Sequence, residues 1–190
     1  MRARAWAALS LLFAAAGLNA GEVTFATLDA EHTRLGFELS TRWGQTLEGR
    51  FHRFEGRVLR LADGRHQVLL RMETGSIEII GHPRYTKIAR SERFFDADRH
   101  PAVTFRSQPY DPALLTDGGE LAGELSIRGV AHTRTLTMQP PACARPGFDC
   151  EAVATGTVSR SDYGMDDWKL AVGDPVVFVL NARLRENTGQ

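Results

Sequence analysis

The most constraining feature of this sequence is a period-two alternation of apolar and polar residues in several separate segments. In segment 33–41, Leu35, Phe37 and Leu39 alternate with charged residues, a serine and a glycine. Segments 68–74, 121–127 and 176–184 show the same pattern. Alternation of this kind gives a strand one apolar face and one mixed face. It is typical of antiparallel sheets rather than of buried parallel ones.

Further strands are predicted at 23–28, 46–61, 102–108, 132–139 and 151–161, separated by turn residues such as those at 62–65. In segment 46–61, Phe51 and Phe54 would face opposite sides unless a bulge intervenes. Segment 83–93 is predicted as a short helix, because Tyr85, Ile88 and Ala89 have helical spacing. These features predict an all-β fold, a single antiparallel barrel of eight strands with a short helix covering it. A sandwich of two sheets is the alternative.

Residues 1–20 have the layout of a secretory signal peptide. Arg2 and Arg4 precede an uncharged apolar run that is too short for a stable membrane anchor, and Ala20 is a small residue at the cut. An N-terminal anchor or a buried helix is the alternative. We therefore predict a signal peptide at 1–20, one barrel domain at 21–190, and a periplasmic or secreted location.

Charge and cysteine content narrow the class of protein further. The whole chain has a formal net charge of zero, so loss of Arg2 and Arg4 with the peptide leaves −2. A chain with so little net charge lacks the positive electrostatic potential that attracts nucleic acid. Cys143 and Cys150 are predicted to form a disulfide, because an exported protein meets an oxidising compartment. A metal clip and a redox pair are the alternatives, although the spacing fits no CxxC pattern.

The sequence contains no recognisable catalytic or metal-binding motif. No two of its six histidines are spaced at i+2 or i+4, and it has no GxSxG, P-loop or GxGxxG motif. Asp166 and Asp167 are predicted to lie in a solvated loop, and Asp162 to bond turn amides or Arg160. We therefore predict no enzymatic activity, no metal and no covalent cofactor. Histidines that converge only in three dimensions stay open as a site.

Four blocks, in this order, resemble those of the YceI-like family of exported proteins, over roughly residues 22–185. They are "GRFHRFEGRV", "ARSERFFDADRHPAVTFRS", "GELSIRGVAHTRTLTM", and "VSRSDYGMDDW" followed by "VGDPVVFVL". The resemblance implies a lipocalin-like barrel of eight strands whose apolar tunnel holds a polyisoprenoid chain, such as an octaprenyl lipid or a quinone tail. It also implies a mostly periplasmic location and no established catalytic activity. The chain departs from the family at Lys87 and Ala89, where an acidic residue and a histidine are usual.

On this resemblance the helix covers the barrel, and the adjacent Phe94 and Phe95 turn inward beside the tunnel. The predicted ligand-binding wall, with Trp168 near a mouth, consists of Phe37, Phe51, Phe54, Phe94, Phe95, Phe105, Leu125, Met165 and Trp168. Plain core packing explains each of these residues equally well. The expected partner is an isoprenoid lipid or quinone, while a transient membrane contact and a homodimer stay open. The alternatives are an enzyme or electron-transfer partner of a quinone-like ligand, and a stress-related interaction module without a ligand.

Overall fold

The computed structural model describes residues 23–187, so the predicted signal peptide at 1–20 lies outside the described residues. The described chain forms one sheet of twelve strands with two short helices. The strands are β1 (Val23–Leu28), β2 (Arg34–Thr41), β3 (Thr46–Phe51), β4 (Phe54–Arg60), β5 (His66–Glu73), β6 (Ile77–Ile79), β7 (Ala102–Ser107), β8 (Gly119–Ile127), β9 (Val130–Met138), β10 (Ala152–Ser159), β11 (Val172–Ala182) and β12 (Leu184–Glu186). The helices are α1 (Pro83–Arg90) and α2 (Leu114–Asp117). Neither they nor any other helix within 23–187 has the length and apolarity to cross a bilayer.

The sheet closes on itself because the strands at its two ends continue strands inside it. Neighbouring strands follow the order β12-β1-β4-β5-β7-β8-β9-β10-β11-β2-β3-β6, and every pairing is antiparallel. β12 follows β11 after Arg183 alone and pairs with β1, while β6 follows β5 after a 3-10 turn and pairs with β3. The result is a barrel rather than a sandwich, and the described strands leave no long open edge.

The all-β antiparallel barrel is confirmed, but the predicted count of eight strands is wrong. The count rises because interruptions divide long extended runs, so that each part pairs with different neighbours. The run predicted at 46–61 breaks at His52 and Arg53 into β3, which pairs with β2, and β4, which pairs with β1. The break is fixed by Ser76 and Glu73, since the Arg53 N–H donates to Ser76 Oγ at 2.9 Å and the Glu73 N–H donates to the Arg53 carbonyl at 2.9 Å.

The core of the protein is the interior of the barrel. Cross-strand partners in antiparallel pairs share one face, and the registers place Phe37 beside Phe178 and Leu35 beside Leu180. On the other side of the barrel, Phe105 lies opposite Leu125. The alternation seen in the sequence therefore becomes a continuous apolar lining, and these residues are nearly inaccessible to solvent.

Two inward-facing glycines leave room for two phenylalanine rings. A Cβ on Gly49 would lie 2.1 Å from Cζ of Phe37, its partner across the β2–β3 pair. A Cβ on Gly123 would lie 2.4 Å from Cζ of Phe105. Such distances are far below van der Waals contact, so both positions require glycine because an aromatic ring covers the backbone there.

The disulfide between Cys143 and Cys150 is confirmed, with Cα atoms 6.0 Å apart. It closes the loop between β9 and β10 at the end of the barrel opposite helix α1. This loop is attached to the barrel because the Leu184 N–H donates to the Gly147 carbonyl at 2.7 Å. Phe148 adds an edge-on contact to Phe25 of β1, with ring centroids 6.0 Å apart.

We expect Gly49→Ala to lower the free energy of unfolding by about 2 kcal/mol, because the new Cβ would overlap the Phe37 ring and disturb its packing against Phe51, Phe95 and Phe178. Urea denaturation followed by circular dichroism measures this change. Gly75→Ala is the matched control, since its nearest neighbour would be Arg53 Nη2 at 3.9 Å. The control is expected to stay within about 0.5 kcal/mol of the parent. Equal losses in the two variants would contradict the close approach of Phe37.

Candidate apolar binding site

Two apolar cavities, formed by residues within 23–187, lie in the barrel interior, one toward each end. The α1 cavity, of about 170 Å³, lies beneath helix α1 and the loop 164–171, and Leu47, Ile88, Phe94 and Trp168 are among its lining residues. The α2 cavity, of about 90 Å³, lies toward helix α2, and Leu121, Leu136, Met138 and Leu180 are among its lining residues. Neither cavity is lined by a histidine or a carboxylate of the described chain.

A cluster of four phenylalanine rings separates the two cavities. The Phe37 ring lies at its centre, with centroid distances of 5.8 Å to Phe51, 5.7 Å to Phe95 and 6.3 Å to Phe178. Leu35, two residues from Phe37 on β2, lines the α2 cavity, whereas Phe37 lines the α1 cavity. The predicted tunnel is therefore divided by aromatic side chains at mid-height. Edge-on and tilted ring pairs at these distances are favourable packing arrangements.

Phe94 and Phe95 are directed inward by the turn that ends helix α1. The Phe95 N–H donates to the Ala89 carbonyl at 3.0 Å, and the Phe94 N–H donates to the Ser91 carbonyl at 3.0 Å. Asp96 follows with a φ of 48°, a left-handed conformation that reverses the chain. Arg90 anchors the helix, because its Nε donates to the Ile77 carbonyl of β6 at 2.7 Å. Both phenylalanine side chains are consequently buried.

The structure assembles only part of the predicted wall into one cavity. Phe37, Phe94, Phe95 and Trp168 line the α1 cavity. Phe105 lines the α2 cavity. The remaining residues line neither cavity: Phe51 belongs to the ring cluster, Leu125 and Met165 are buried in the core, and Phe54 is partly buried against it. Phe54 and Phe105 also line a larger and more polar cleft at β4, β5 and β7.

Several lining residues were not predicted from the sequence. Leu35, Leu136 and Leu180 of the α2 cavity carried a usable signal, since they occupy inward positions of the period-two pattern. Tyr85 and Ile88 of the α1 cavity lie on the apolar stripe of the predicted helix. Trp43 had no such signal, because it lies in the turn between β2 and β3 and reaches the α1 cavity only through the tertiary fold.

Arg160 fastens the loop that carries Trp168. Its side chain is almost fully buried, and it donates hydrogen bonds to four backbone carbonyls of segment 165–173. The acceptors are Gly173 at 3.0 Å, Asp167 at 2.7 Å, Val172 at 3.2 Å and Met165. Burial lowers the pKa of Arg160 from its ordinary value, and nearby Asp174 opposes that shift.

Asp162 does not bind Arg160 or the turn amides, contrary to the prediction. Its carboxylate instead pairs with Arg134 of β9 at 2.5 Å, in a partly exposed position. The turn amide of Ser161 is bonded by Asp174, whose Oδ1 accepts it at 3.0 Å. The turn 160–163 is thus a structural link between β10, β9 and β11, and it lies outside the lining of the α1 cavity.

One other cluster of ionisable groups lies on the barrel surface. Asp29, Glu31 and His32 lie in the turn between β1 and β2, with ligand atoms within 4.8 Å of one another. Asp29 is already paired, because Arg185 Nη2 donates to its Oδ1 at 2.8 Å and His32 Nδ1 lies 2.9 Å from its Oδ2. The hydrogen bond from Arg185 lowers the pKa of Asp29 to about 2. This cluster is therefore satisfied by side chains of the protein itself.

Together, the fold and its interior define a closed antiparallel barrel with apolar cavities and a helix across one end. A family model described as YceI-like domain matches residues 27–184. The chain belongs to the YceI-like domain family, in agreement with the resemblance seen in the sequence.

Solved structures share this fold at low sequence identity. BcnA of Burkholderia cenocepacia is 22% identical with a TM-score of 0.67, over 83% of this chain and 99% of that one. A polyisoprenoid binding domain from Saccharophagus degradans, described as implicated in plant cell wall breakdown, is 16% identical with a TM-score of 0.61. The match covers 86% of this chain and 100% of that domain. The YCEI protein of Campylobacter jejuni is 16% identical with a TM-score of 0.55, and the match covers 74% of this chain and 85% of that one. A search of curated proteins gives no match.

We expect Arg160→Met to lower the free energy of unfolding by about 3 kcal/mol, because it leaves buried carbonyls without donors. Arg71→Met is the matched control, since its ion pair with Glu55 is exposed on the barrel surface and its loss is expected to cost less than about 1 kcal/mol. Chemical denaturation of both variants measures the difference. Equal losses would show that Arg160 is not the main attachment of the loop.

The stability of the protein is expected to fall as pH falls below about 6.5, because of His66. This side chain is buried between Phe25 and Tyr110, and its Nδ1 has no hydrogen-bond partner among residues 23–187. Burial lowers the pKa of His66, with a further contribution from Arg60 that Asp111 opposes. Between pH 6.5 and this lower pKa the unfolded chain binds more protons than the folded one, so acidification favours unfolding.

Denaturation at a series of pH values from 7.5 to 5.5 tests the role of His66. His66→Phe is expected to reduce the loss of stability over this range. His52→Gln is the control, because His52 is an exposed residue paired with Glu78 on the surface. This variant is expected to lose as much stability between pH 7.5 and 5.5 as the parent. An unchanged pH dependence in His66→Phe would refute the assignment.

Proposed function

We propose that the protein binds an isoprenoid lipid, or the isoprenoid tail of a quinone, inside the barrel and sequesters or carries it in the periplasm. The observation that carries this proposal is the chemistry of the two cavities. Their walls are hydrocarbon and aromatic side chains, with Thr41, Arg57, Tyr85 and Tyr110 as the residues that carry a charge or a hydroxyl group. Burial raises the pKa of Tyr110 to about 12, so its hydroxyl is neutral at physiological pH.

Such an interior favours a hydrocarbon ligand over a polar one. Burial of each methylene group contributes about 0.8 kcal/mol, and the cost of ordering the ligand reduces the total. A few isoprene units therefore supply enough affinity without a charged anchor. Ala89 supports a ligand whose buried end is not charged, because it lines the α1 cavity at a position where the family usually has a histidine.

The sizes of the cavities limit how such a ligand is accommodated. Each is smaller than the roughly 300 Å³ at which ordinary ligand pockets begin. A chain that reaches both cavities must therefore pass the ring cluster, so the rings of Phe37 and Phe95 must move apart. A slender, unbranched path of this kind suits a polyprenyl chain better than a broad, rigid ring system.

Two further observations support the proposal. The Saccharophagus degradans domain with the same fold is described as polyisoprenoid binding. The layout of residues 1–20 favours export, which would bring the barrel into the periplasm. Among residues 23–187, no histidine, carboxylate, lysine or cysteine lines the two cavities, and burial raises the pKa of the Tyr110 hydroxyl. Binding without chemistry therefore fits them better than an enzyme acting on a quinone. No nucleic acid and no covalent cofactor form part of the proposed function.

Organic extraction of the purified protein, followed by mass spectrometry, tests this function. We expect a lipid with isoprene-spaced fragments, in an amount close to one per protein, after the full chain is expressed with export. Ala89→Phe places a ring in the α1 cavity and is expected to reduce the retained lipid at least about tenfold, because the remaining volume is too small for the chain.

Ala122→Phe is the matched control, since Ala122 lies on the outer face of β8 between the inward Leu121 and Gly123. It is expected to retain the lipid at the level of the parent. Thermal denaturation establishes that both variants are folded. An empty extract from the parent, repeated after incubation with a ubiquinone and a polyprenol, would refute lipid binding and favour a ligand-free interaction module.

A further inference from the structure

Large apolar side chains are exposed at the mouth of the α1 cavity. Trp43, Tyr85 and Trp168 line this cavity yet remain 75%, 42% and 42% exposed, and Leu170 in the same loop as Trp168 is 80% exposed. We call these four residues the aromatic rim. Exposed apolar groups gathered at one place on a surface mark an interaction site rather than random exposure.

The rim is held in place by backbone contacts between two turns. The turn between β2 and β3 carries Trp43, and the loop 164–171 carries Trp168 and Leu170. The Arg42 N–H donates to the Ala171 carbonyl at 3.0 Å, and Thr41 pairs with Val172. Trp168 has a φ of 63°, and its carbonyl accepts the Ala171 and Val172 N–H groups at 2.8 and 2.9 Å. Backbone hydrogen bonds therefore set the positions of Trp43 and Trp168, whose side chains are exposed.

Positive charge accompanies the aromatic rim. Arg42 precedes Trp43, Arg84 precedes Tyr85, Lys87 follows on the same helix, and Lys169 lies between Trp168 and Leu170. Within residues 23–187, Arg42, Arg84 and Lys87 form no ion pair, whereas Lys169 pairs with Asp166 at 2.7 Å. The four cations outnumber the neighbouring acids Asp166, Asp167 and Asp174, the last of which lines a surface pocket together with Lys169. The mouth of the α1 cavity thus combines apolar anchors with a surplus of positive charge.

We propose that the aromatic rim docks onto the surface of a lipid bilayer that contains anionic headgroups. Tryptophan and tyrosine favour the boundary between headgroups and acyl chains, because their rings are apolar at one end and polar at the other. The four cations would meet the negative surface of the bilayer at the same time. In this orientation the α1 cavity opens toward the acyl chains. The use of the docked state for lipid exchange rests on the proposed function, whereas docking itself does not.

The charges favour a bilayer over a second copy of the chain as the partner of this surface. A two-fold dimer would place the same patch on both sides of the interface. Arg42, Arg84 and Lys87 would then face their own copies, and like charges at an interface repel each other. An anionic bilayer offers the opposite charge to these three cations, which are unpaired among the described residues.

Cosedimentation with vesicles tests the docking. The probe is vesicles of phosphatidylethanolamine and phosphatidylglycerol, with pure phosphatidylcholine vesicles as the neutral comparison, and mass spectrometry establishes that all variants begin at the same residue. The double variant Trp43→Ser/Leu170→Ser is expected to bind the anionic vesicles at least about tenfold more weakly than the parent. The double variant Arg42→Glu/Lys87→Glu is expected to lose binding to a similar extent. High salt is expected to weaken the binding of the parent to these vesicles.

Val23→Ser is the matched control, because Val23 is also exposed but lies on β1 at the opposite end of the barrel. It is expected to bind like the parent, and thermal denaturation verifies that every variant is folded. Unchanged vesicle binding in both double variants, Trp43→Ser/Leu170→Ser and Arg42→Glu/Lys87→Glu, would overturn the proposal. A parent that ignores the vesicles but forms a dimer in size-exclusion chromatography, dissociated by Trp43→Ser/Leu170→Ser, would overturn it in favour of self-association.

Lipid extraction keeps this proposal separate from the proposed function. A protein that retains lipid but does not bind vesicles would overturn docking and leave the lipid-binding function intact. A protein that binds vesicles through the rim but yields an empty extract would leave docking intact and refute the lipid-binding function.

Discussion

Closure of the sheet is the constraint on which the rest of the structure depends. Each long strand has one apolar face, and only a closed barrel removes all of these faces from water without leaving a long open edge. Closure is achieved by very short segments, since β6 and β12 have three residues each. They pair with β3 and β1 because the chain is interrupted immediately before them. The interruptions that divide the strands are therefore also what allows the barrel to close.

The same aromatic side chains that pack the interior of the barrel also limit the space left for a ligand. Gly49 and Gly123 admit the rings of Phe37 and Phe105, and the rings of Phe37, Phe51, Phe95 and Phe178 then fill the middle of the barrel. Well-packed aromatic rings contribute strongly to stability, yet they stand where a long ligand would pass. Stability and capacity thus depend on the same side chains, and their ability to repack sets the length of chain that the barrel can hold.

Arg160 links the stability of the barrel to its open end. Its guanidinium satisfies four carbonyls of the segment that leads from the turn 160–163 into β11, and it lies 5.7 Å from the centroid of the Phe94 ring. One buried side chain therefore positions the loop bearing Trp168 and contacts the wall of the α1 cavity. The loop at the mouth of the cavity is therefore attached to the core by this one side chain, while Trp168 and Leu170 of the loop stay exposed.

The sequence by itself determined the antiparallel all-β class, the helix at α1 and most inward positions, because period-two alternation and helical spacing are local properties of the chain. Leu35, Phe37 and Leu39 could be assigned to one face without any structure. The sequence could not determine the number of strands or the division of the interior into two cavities, since both depend on which distant segments pair. Only the tertiary structure placed Phe37 among Phe51, Phe95 and Phe178, and only it brought Trp43 beside Trp168, because burial and exposure at these positions are set by contacts between residues far apart in the chain.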